Sequence, residues 1–262
     1  MNSENPEKTS RLNRDLATLA QRRAALQKIG LFAAAPLLAP AVAKAATCAK
    51  IPYDIPGPYP AHGTLNLADF KIVNVLKTSG VVRSDITRSF GVGTMQAQGV
   101  PMNLRLKLKD SRCAPLSSHA IYLWQCDALG RYSLYSEGVK NENFLRGVQV
   151  TDAEGEVSFK SIFPGCYDTA GIVRMPHLHI EVFRSIDKAT SWTRVVKTSQ
   201  LALPVDASAA VYNTPGYEGS ASNLQNLSFE EDLVFSDGVE LQMISMTGDV
   251  ARGYEGFIEV AV

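Results

Sequence analysis

The fold class is decided by residues 102–109, which are Met102-Asn103-Leu104-Arg105-Leu106-Lys107-Leu108-Lys109. Apolar and polar side chains alternate along this stretch without an exception, which predicts a β-strand with one buried and one solvated face. Residues 120–124 are continuously apolar and rich in β-forming types, which predicts a central strand. Further strands are predicted at 156–162, 177–183, 239–246 and 257–262, and a short helical pattern at 221–232.

Many short strands, turn residues between them and the absence of long helical patterns predict an all-β fold. We expect an antiparallel β-sandwich with an extended N-terminal arm and long loops that carry the active site. Gly and Pro are frequent up to residue 99, which indicates the arm. The predicted organisation is a targeting segment at 1–45, the arm at 46–99 and the sandwich domain at 100–262.

The first 45 residues have the pattern of an export signal. Arg22 and Arg23 precede an apolar run from Ile29 to Ala43, and Ala43-Lys44-Ala45 fits a cleavage site. The arginine pair predicts a twin-arginine signal, which directs a folded protein to the periplasm or the extracellular space. Two prolines interrupt the run, so stable membrane insertion after cleavage is not expected. An amphipathic helix or a signal anchor is the alternative.

Charge and cysteine content limit the function classes. The chain has 26 basic and 26 acidic residues, and this balance argues against a nucleic-acid partner. An exported address permits disulfides among the four cysteines, for which three full pairings are possible. None has C-x-x-C spacing, so neither a zinc knuckle nor a redox pair is indicated. The four are Cys48, Cys113, Cys126 and Cys166.

His177 and His179 are the sharpest local signal in the chain. Residues two apart on a strand project from the same face, so both imidazoles could reach one metal ion. Leu178, Ile180 and Val182 would project from the opposite face. The alternative is a pair of polar side chains on a solvated face, and the histidines alone do not decide between the two.

Sequence blocks elsewhere in the chain, taken in order, bear on whether the two histidines bind a metal ion. The blocks are Gly57-Pro58-Tyr59-Pro60, residues 123–133, Phe163-Pro164-Gly165-Cys166-Tyr167 and Arg174-Met175-Pro176-His177-Leu178-His179. In this order they resemble the intradiol ring-cleavage dioxygenases, the family of protocatechuate 3,4-dioxygenase and catechol 1,2-dioxygenase. The likeness is greatest to exported bacterial members, through residues 79–86, 144–152, 223–224 and 235–238.

The resemblance implies a non-haem Fe(3+) ion held by Tyr132, Tyr167, His177 and His179. Such a set is chemically sensible, because two phenolates and a hydroxide balance the charge of ferric iron and hard oxygen donors favour it. Tyr135 is the rival of Tyr132, and Tyr132 is preferred because it directly follows a Gly-Arg pair, as the family's ligand does.

The resemblance also implies the reaction. A catechol-type aromatic diol and O2 would be the small-molecule partners, and the ring would be cleaved between its hydroxylated carbons to a cis,cis-muconate-type product. Tyr167 would leave the metal and take a substrate proton, and Arg174 would stabilise negative charge. A surface arginine is the alternative for Arg174. A homo-oligomer is possible.

Two departures from the family pattern leave the substrate open. Gln125 stands where exported relatives often have a histidine, and the loop at 168–173 differs from the family's usual forms. This loop is expected to line the pocket.

Two other functions compete with this hypothesis. His177, His179 and Glu181 share a predicted strand face and could form a ferrous site with two histidines and one carboxylate, of the extradiol or cupin type. The other candidate is an exported β-sandwich that binds a ligand without turnover.

Overall fold

The structure is a computed structural model that describes residues 47–66, 71–169 and 171–262. The predicted export signal at 1–45 lies outside the described residues, so it stays a prediction. The boundary between arm and sandwich at residue 99 also stays a prediction. No helix within the described ranges is long and apolar enough to cross a membrane.

Two four-stranded sheets pack face to face. The sheet that carries the histidines, here called the site sheet, has the order β10-β9-β4-β5, with β4 Ala120–Trp124, β5 Arg146–Val150, β9 His177–Phe183 and β10 Val195–Ala202. The second sheet has the order β11-β12-β3-β6, with β3 Pro101–Lys109, β6 Glu156–Ile162, β11 Ser245–Asp249 and β12 Gly253–Ala261. The predicted β-sandwich is confirmed. One strand pair, β3 with β12, is parallel rather than antiparallel.

The core between the sheets follows from the alternation in the sequence. Met102, Leu104, Leu106 and Leu108 on β3 are at most 1% exposed. Leu178, Ile180 and Val182 on β9 join the same hydrophobic cluster. Burial of a side chain of this size contributes about 2 kcal/mol, so the regular pattern of β3 strongly favours one register over a shift by a single residue.

Two smaller hairpins and several short helices complete the described structure. The hairpins pair β1 His62–Asn66 with β2 Lys71–Asn74, and β7 Asp168–Thr169 with β8 Ile172–Val173. The α-helices are Val205–Tyr212 and Ser220–Gln225. The 3-10 turns are Val75–Lys77, Ile186–Lys188, Trp192–Arg194 and Phe229–Glu231.

Several predicted elements differ from the observed ones. The strand predicted at 239–246 is instead a turn that leads into β11. The side-chain amide of Gln242 is fully buried and donates to Asp54, whereas Leu241 is 45% exposed, so burial here does not follow the apolar pattern that predicted a strand. The last strand begins at Gly253, four residues earlier than predicted. The predicted helical stretch at 221–232 consists of two short elements, Ser220–Gln225 and Phe229–Glu231. Helix Val205–Tyr212, the hairpin β1–β2 and strands β5, β7, β8 and β10 were not predicted.

The described part of the arm is tied to both sheets. The backbone N–H of Ile51 donates to the carbonyl of Ala261, and that of Asp54 donates to the carbonyl of Thr198. Cys48 forms a disulfide with Cys113 across 65 residues. Cys126 and Cys166 are free and buried. The sequence left the pairing open, and the structure has this one disulfide together with two thiols that lie inside the protein.

We expect this disulfide to contribute measurably to stability. Replacement of Cys48 and Cys113 by Ser should lower the free energy of unfolding by about 2–4 kcal/mol, because the bond restricts the unfolded chain. Denaturant titration measures the change. A thiol reagent should count two free thiols in the denatured, unreduced wild-type chain, and a count of none or four would contradict the pairing.

Candidate metal centre

The polar face of β9 is buried. His177 and His179 are each 2% exposed, and the neighbouring Glu181 is 1% exposed. Their face of the site sheet lies opposite the hydrophobic core and is covered by the arm and by the loops that carry the tyrosines. The alternative of two histidines on a solvated face is therefore wrong.

Four donor atoms converge above this face. The phenolic oxygen of Tyr132 lies 3.1 Å from Nε2 of His179 and 3.3 Å from the phenolic oxygen of Tyr167. The Tyr167 oxygen lies 3.5 Å from Nε2 of His177, and the two Nε2 atoms are 3.1 Å apart. The four atoms thus form a closed ring of short distances.

This ring has the dimensions of a metal site. Donors that bind one ion at about 2 Å lie roughly 3 Å from one another. Nδ1 of His177 donates to the carbonyl of Met175 at 2.5 Å, which leaves Nε2 with its lone pair. This lone pair faces Nε2 of His179 at 3.1 Å. Two ring nitrogens so close together need a proton or a cation between them. The residues present therefore fit a bound metal ion.

The structure also separates Tyr132 from its rival Tyr135. The hydroxyl of Tyr135 accepts the backbone N–H of Ala61 at 2.9 Å. Tyr132 instead directs its hydroxyl to Tyr167 and His179. Both tyrosines follow the same turn, and only Tyr132 joins the ring of donors.

Glycine allows the two tyrosine loops to approach each other. Gly130 has a φ of +77°, and a Cβ at this position would lie 2.3 Å from the Cβ of Tyr167. A Cβ at Gly165 would lie 2.5 Å from the carbonyl oxygen of Ala128. Without a side chain at these two positions, the loops that carry Tyr132 and Tyr167 can pack in direct contact.

The segment Gly57–Pro60 covers the site from the arm. A Cβ at Gly57 would lie 3.2 Å from Cε1 of His179, and the ring of Tyr59 lies 4.8 Å from that of Tyr132. On its other side His179 stacks on Trp124, with ring centroids 4.8 Å apart and an interplanar angle of 6°. Nδ1 of His179 has no hydrogen-bond partner among the described residues. Packing therefore orients this ring, whereas a hydrogen bond orients His177.

Arg174 is buried beside the donors and held by Asp232. Its Nε donates to Asp232 Oδ2 at 3.0 Å, and its Nη2 donates to Asp232 Oδ1 at 3.1 Å and to Gln200 Oε1 at 2.9 Å. Asp232 also accepts the backbone N–H of Met175 at 2.8 Å. One carboxylate thus fixes both Arg174 and the residue whose carbonyl orients His177. The surface-arginine alternative is wrong.

A cavity of about 100 Å³ opens onto this centre. Tyr167 and Arg174 line it, whereas Tyr132 does not and is only 1% exposed. A larger cavity of about 300 Å³ lies elsewhere, and none of the four donor residues lines it. We therefore take the smaller cavity as the one relevant to chemistry. The remaining residues of its lining are Ile55, Gly57, Pro58, Ile172 and Leu233.

Burial sets the protonation states of the four donors. It lowers the pKa of His177 to about 3, with a smaller contribution from the Arg174 charge, and it holds the pKa of His179 well below the usual range. Burial also raises the pKa of Tyr132 and of Tyr167, although the Arg174 charge acts in the opposite direction. The imidazoles are therefore neutral and ready to bind a metal ion, whereas each phenol must lose a proton to do so.

Glu181 does not join the histidines in a second kind of metal site. Its Oε1 lies 2.7 Å from Nδ1 of His62, and the two side chains form a buried pair. The described residues contain no group of three or more His, Cys, Asp and Glu that could hold a metal ion. The geometry therefore does not favour the site with two histidines and one carboxylate.

Comparison with known proteins agrees with this geometry. A family model described as Dioxygenase matches residues 77–186. The matched region contains Tyr132, Tyr167, His177 and His179. The solved structure of an intradiol ring-cleavage dioxygenase from Tetranychus urticae has the same fold, with a TM-score of 0.61 at 24% identity over 82% of this chain and 94% of that chain. The resemblance found in the sequence blocks is thereby confirmed.

One curated relative is similar over a shorter region. The catechol 1,2-dioxygenase of Candida albicans is 30% identical over 79 residues, which are 29% of this chain. The matched region spans about a quarter, 26%, of that protein's length. A second solved structure, the dioxygenase Tetur07g02040, matches with a TM-score of 0.61 and 24% identity.

The two departures from the family pattern lie in different places. Gln125 is fully buried, donates to the carbonyls of Ile162 and Cys126 and accepts from Ser161, none of which is a donor residue. The loop at 168–173 forms the hairpin β7–β8 and places Ile172 in the cavity wall, as expected. The loop therefore contributes to the cavity wall, whereas Gln125 is not among the residues that line it.

Several residues that support the donor ring and Arg174 were not predicted. Asp232 and Gln200 hold Arg174, and Trp124 supports His179. Arg146 is fully buried and donates to the Tyr59 carbonyl at 2.9 Å. Asp232 ends the acidic run Glu230-Glu231-Asp232, so no local sequence pattern distinguishes it from its neighbours. Arg146 stands in the range 144–152 named above for its likeness to exported members, and that likeness was the available signal.

Gly130→Ala should disrupt the contact between the two tyrosine loops. We expect the free energy of unfolding to fall by about 1–3 kcal/mol more than in Gly91→Ala, because the new methyl group collides with Tyr167. Gly91 is a matched control, since it has a φ of +65° with nothing within 4 Å of an added Cβ. Denaturant titration measures both variants. Equal losses would contradict the close approach.

The neutral histidines predict a pH dependence of stability. The pKa of His177 is lowered by folding, so its contribution is complete above the unfolded pKa near 6.5 and is lost as the pH falls. Between pH 6 and 4, the iron-free His177→Gln protein should lose stability less steeply than the wild type, by about 1.4 kcal/mol per pH unit. Urea titrations at several pH values measure this slope. Parallel curves would contradict the assignment.

Proposed function

We propose that this chain is a non-haem Fe(III) dioxygenase that cleaves a catechol-type ring between its two hydroxylated carbons with O2. The product would be of the cis,cis-muconate type. The observation that carries the proposal is the buried ring of Tyr132, Tyr167, His177 and His179, whose neighbouring donor atoms are 3.1–3.5 Å apart. The name of the Candida albicans relative supports catechols as the substrate class.

The donor chemistry supports ferric iron as the metal. Phenolate oxygen is a hard ligand, and two phenolates offset two of the three positive charges of the ion. Two neutral imidazoles would complete the protein ligands. When bound, ferric iron would hold the catechol oxygens and draw electron density from the ring, which prepares the ring for attack by O2.

The two tyrosines would have different roles. Tyr167 lines the cavity and is 9% exposed, whereas Tyr132 lies behind it and is 1% exposed. An incoming catechol therefore meets Tyr167 first. Because burial raises the pKa of the Tyr167 phenol, a Tyr167 phenolate would be a strong base and would accept a proton from the substrate hydroxyl.

Arg174 would stabilise negative charge on the substrate ring. It lines the cavity next to Tyr167, and Asp232 and Gln200 hold its guanidinium in one orientation. A fixed, permanently charged donor in a dry site stabilises developing negative charge without reorganisation.

An exported location is part of the proposal. It rests on the arginine pair and the apolar run of the first 45 residues. The disulfide between Cys48 and Cys113 supports it, because such bonds persist in oxidising compartments.

The test is oxygen uptake by iron-loaded protein with catechol, together with its visible spectrum. We expect equimolar O2 consumption, a muconate product and a visible band from tyrosinate bound to iron. Tyr167→Phe should shift or bleach the band and lower turnover by about 10²–10⁴-fold, because a ligand and a proton acceptor are lost. Tyr132→Phe should bleach the band as well.

Tyr135→Phe is the matched control for these variants. It removes a hydroxyl from a neighbouring tyrosine that bonds Ala61 rather than the histidines, so the band should remain. A fully iron-loaded protein that consumes no O2 would overturn the enzymatic proposal in favour of a binding protein. A hydroxymuconic semialdehyde as product would overturn intradiol cleavage.

A further inference from the structure

The wall of the cavity next to Tyr167 is aliphatic and comes from three separate segments of the chain. Ile55 belongs to the arm, Ile172 to the hairpin after Tyr167, and Leu233 to the segment after the last 3-10 turn. These side chains are 56%, 52% and 64% exposed, respectively. Exposed aliphatic residues that meet around one opening indicate a surface for an apolar ligand group.

The lining has a single charged side chain, and two of its three guanidinium nitrogens are already hydrogen-bonded within the protein. Of the residues described in the cavity wall, only Arg174 is cationic. Its Nε and Nη2 are bonded to Asp232 and Gln200, and the Asp232 side chain is fully buried. Nη1 is therefore the remaining nitrogen of the guanidinium that can meet a substrate. The cavity thus provides one donor group for the reacting diol and no second cation for a carboxylate.

From this lining we propose that the site selects neutral catechols with an apolar ring substituent over catechols with a carboxylate. The inference rests on the proposed function, because it takes the catechol oxygens to be held at the four donors. The substituent would lie against Ile55, Ile172 and Leu233.

The physical basis is the difference in desolvation between the two kinds of substituent. An alkyl group that leaves water for an aliphatic wall gains about 0.8 kcal/mol per buried carbon, which is roughly fourfold in affinity. A carboxylate in the same place loses its water without a cation to replace it.

Binding titrations of the iron-loaded protein test the proposal without turnover. Under anaerobic conditions, catechol, 4-tert-butylcatechol and 3,4-dihydroxybenzoate are titrated while the visible band is followed, and calorimetry provides an independent readout. We expect 4-tert-butylcatechol to bind on the order of tenfold more tightly than catechol. We expect 3,4-dihydroxybenzoate to bind more weakly than catechol.

Lysine substitutions in the cavity wall test whether these aliphatic residues determine the selectivity. Leu233→Lys and Ile172→Lys should each bind 3,4-dihydroxybenzoate about two- to fivefold more tightly, as expected for a partly exposed ion pair, and 4-tert-butylcatechol more weakly. Val92→Lys is the matched control, since Val92 is 95% exposed and is not part of this lining. Its affinities should stay at the wild-type values.

The outcomes separate this inference from the proposed function. Spectral changes with catechol but tighter binding of the carboxylate, or lysine variants that behave like Val92→Lys, would overturn the inference alone. A protein that binds none of the three catechols and consumes no O2 would overturn the proposed function, and the inference with it.

Discussion

The structure depends on a strand that is buried on both faces although one face is polar. β9 places Leu178, Ile180 and Val182 in the core and His177, His179 and Glu181 on the other side, and all of them are at most 2% exposed. Buried polar groups destabilise a fold unless they find partners. The tyrosine loops supply partners for the two imidazoles, and His62 supplies one for Glu181.

A second set of polar contacts holds the arm and the Tyr132 loop against this face. Arg146 of β5 is fully buried and donates to the carbonyls of Tyr59 and Ser133 and to the hydroxyl of Tyr122. It thereby joins the arm, the Tyr132 loop and the site sheet. The disulfide at Cys48 ties the beginning of the described arm to the loop after β3. These contacts connect the arm and the Tyr132 loop to the sandwich at several points.

Burial of the donors connects the fold to the proposed chemistry. It keeps both imidazoles neutral and both phenols protonated, so the site without metal carries no net charge on its four donor groups. A bound metal ion would require both phenols to lose their protons. Tyr167 lines the cavity and Tyr132 lies behind it, so of these two tyrosines Tyr167 is the one that an entering molecule meets first.

The sequence alone determined the sandwich and the two faces of β9, because period-two alternation is a local property of the chain. The resemblance of the ordered blocks to a known family also named the four residues whose donor atoms converge. The donor ring itself was decided by tertiary structure, which brings together loops 35 residues apart through the packing of Gly130 against Tyr167. The partners of Arg174, the pairing of Cys48 and the aliphatic cavity wall likewise depend on distant segments, and no local pattern encodes such contacts.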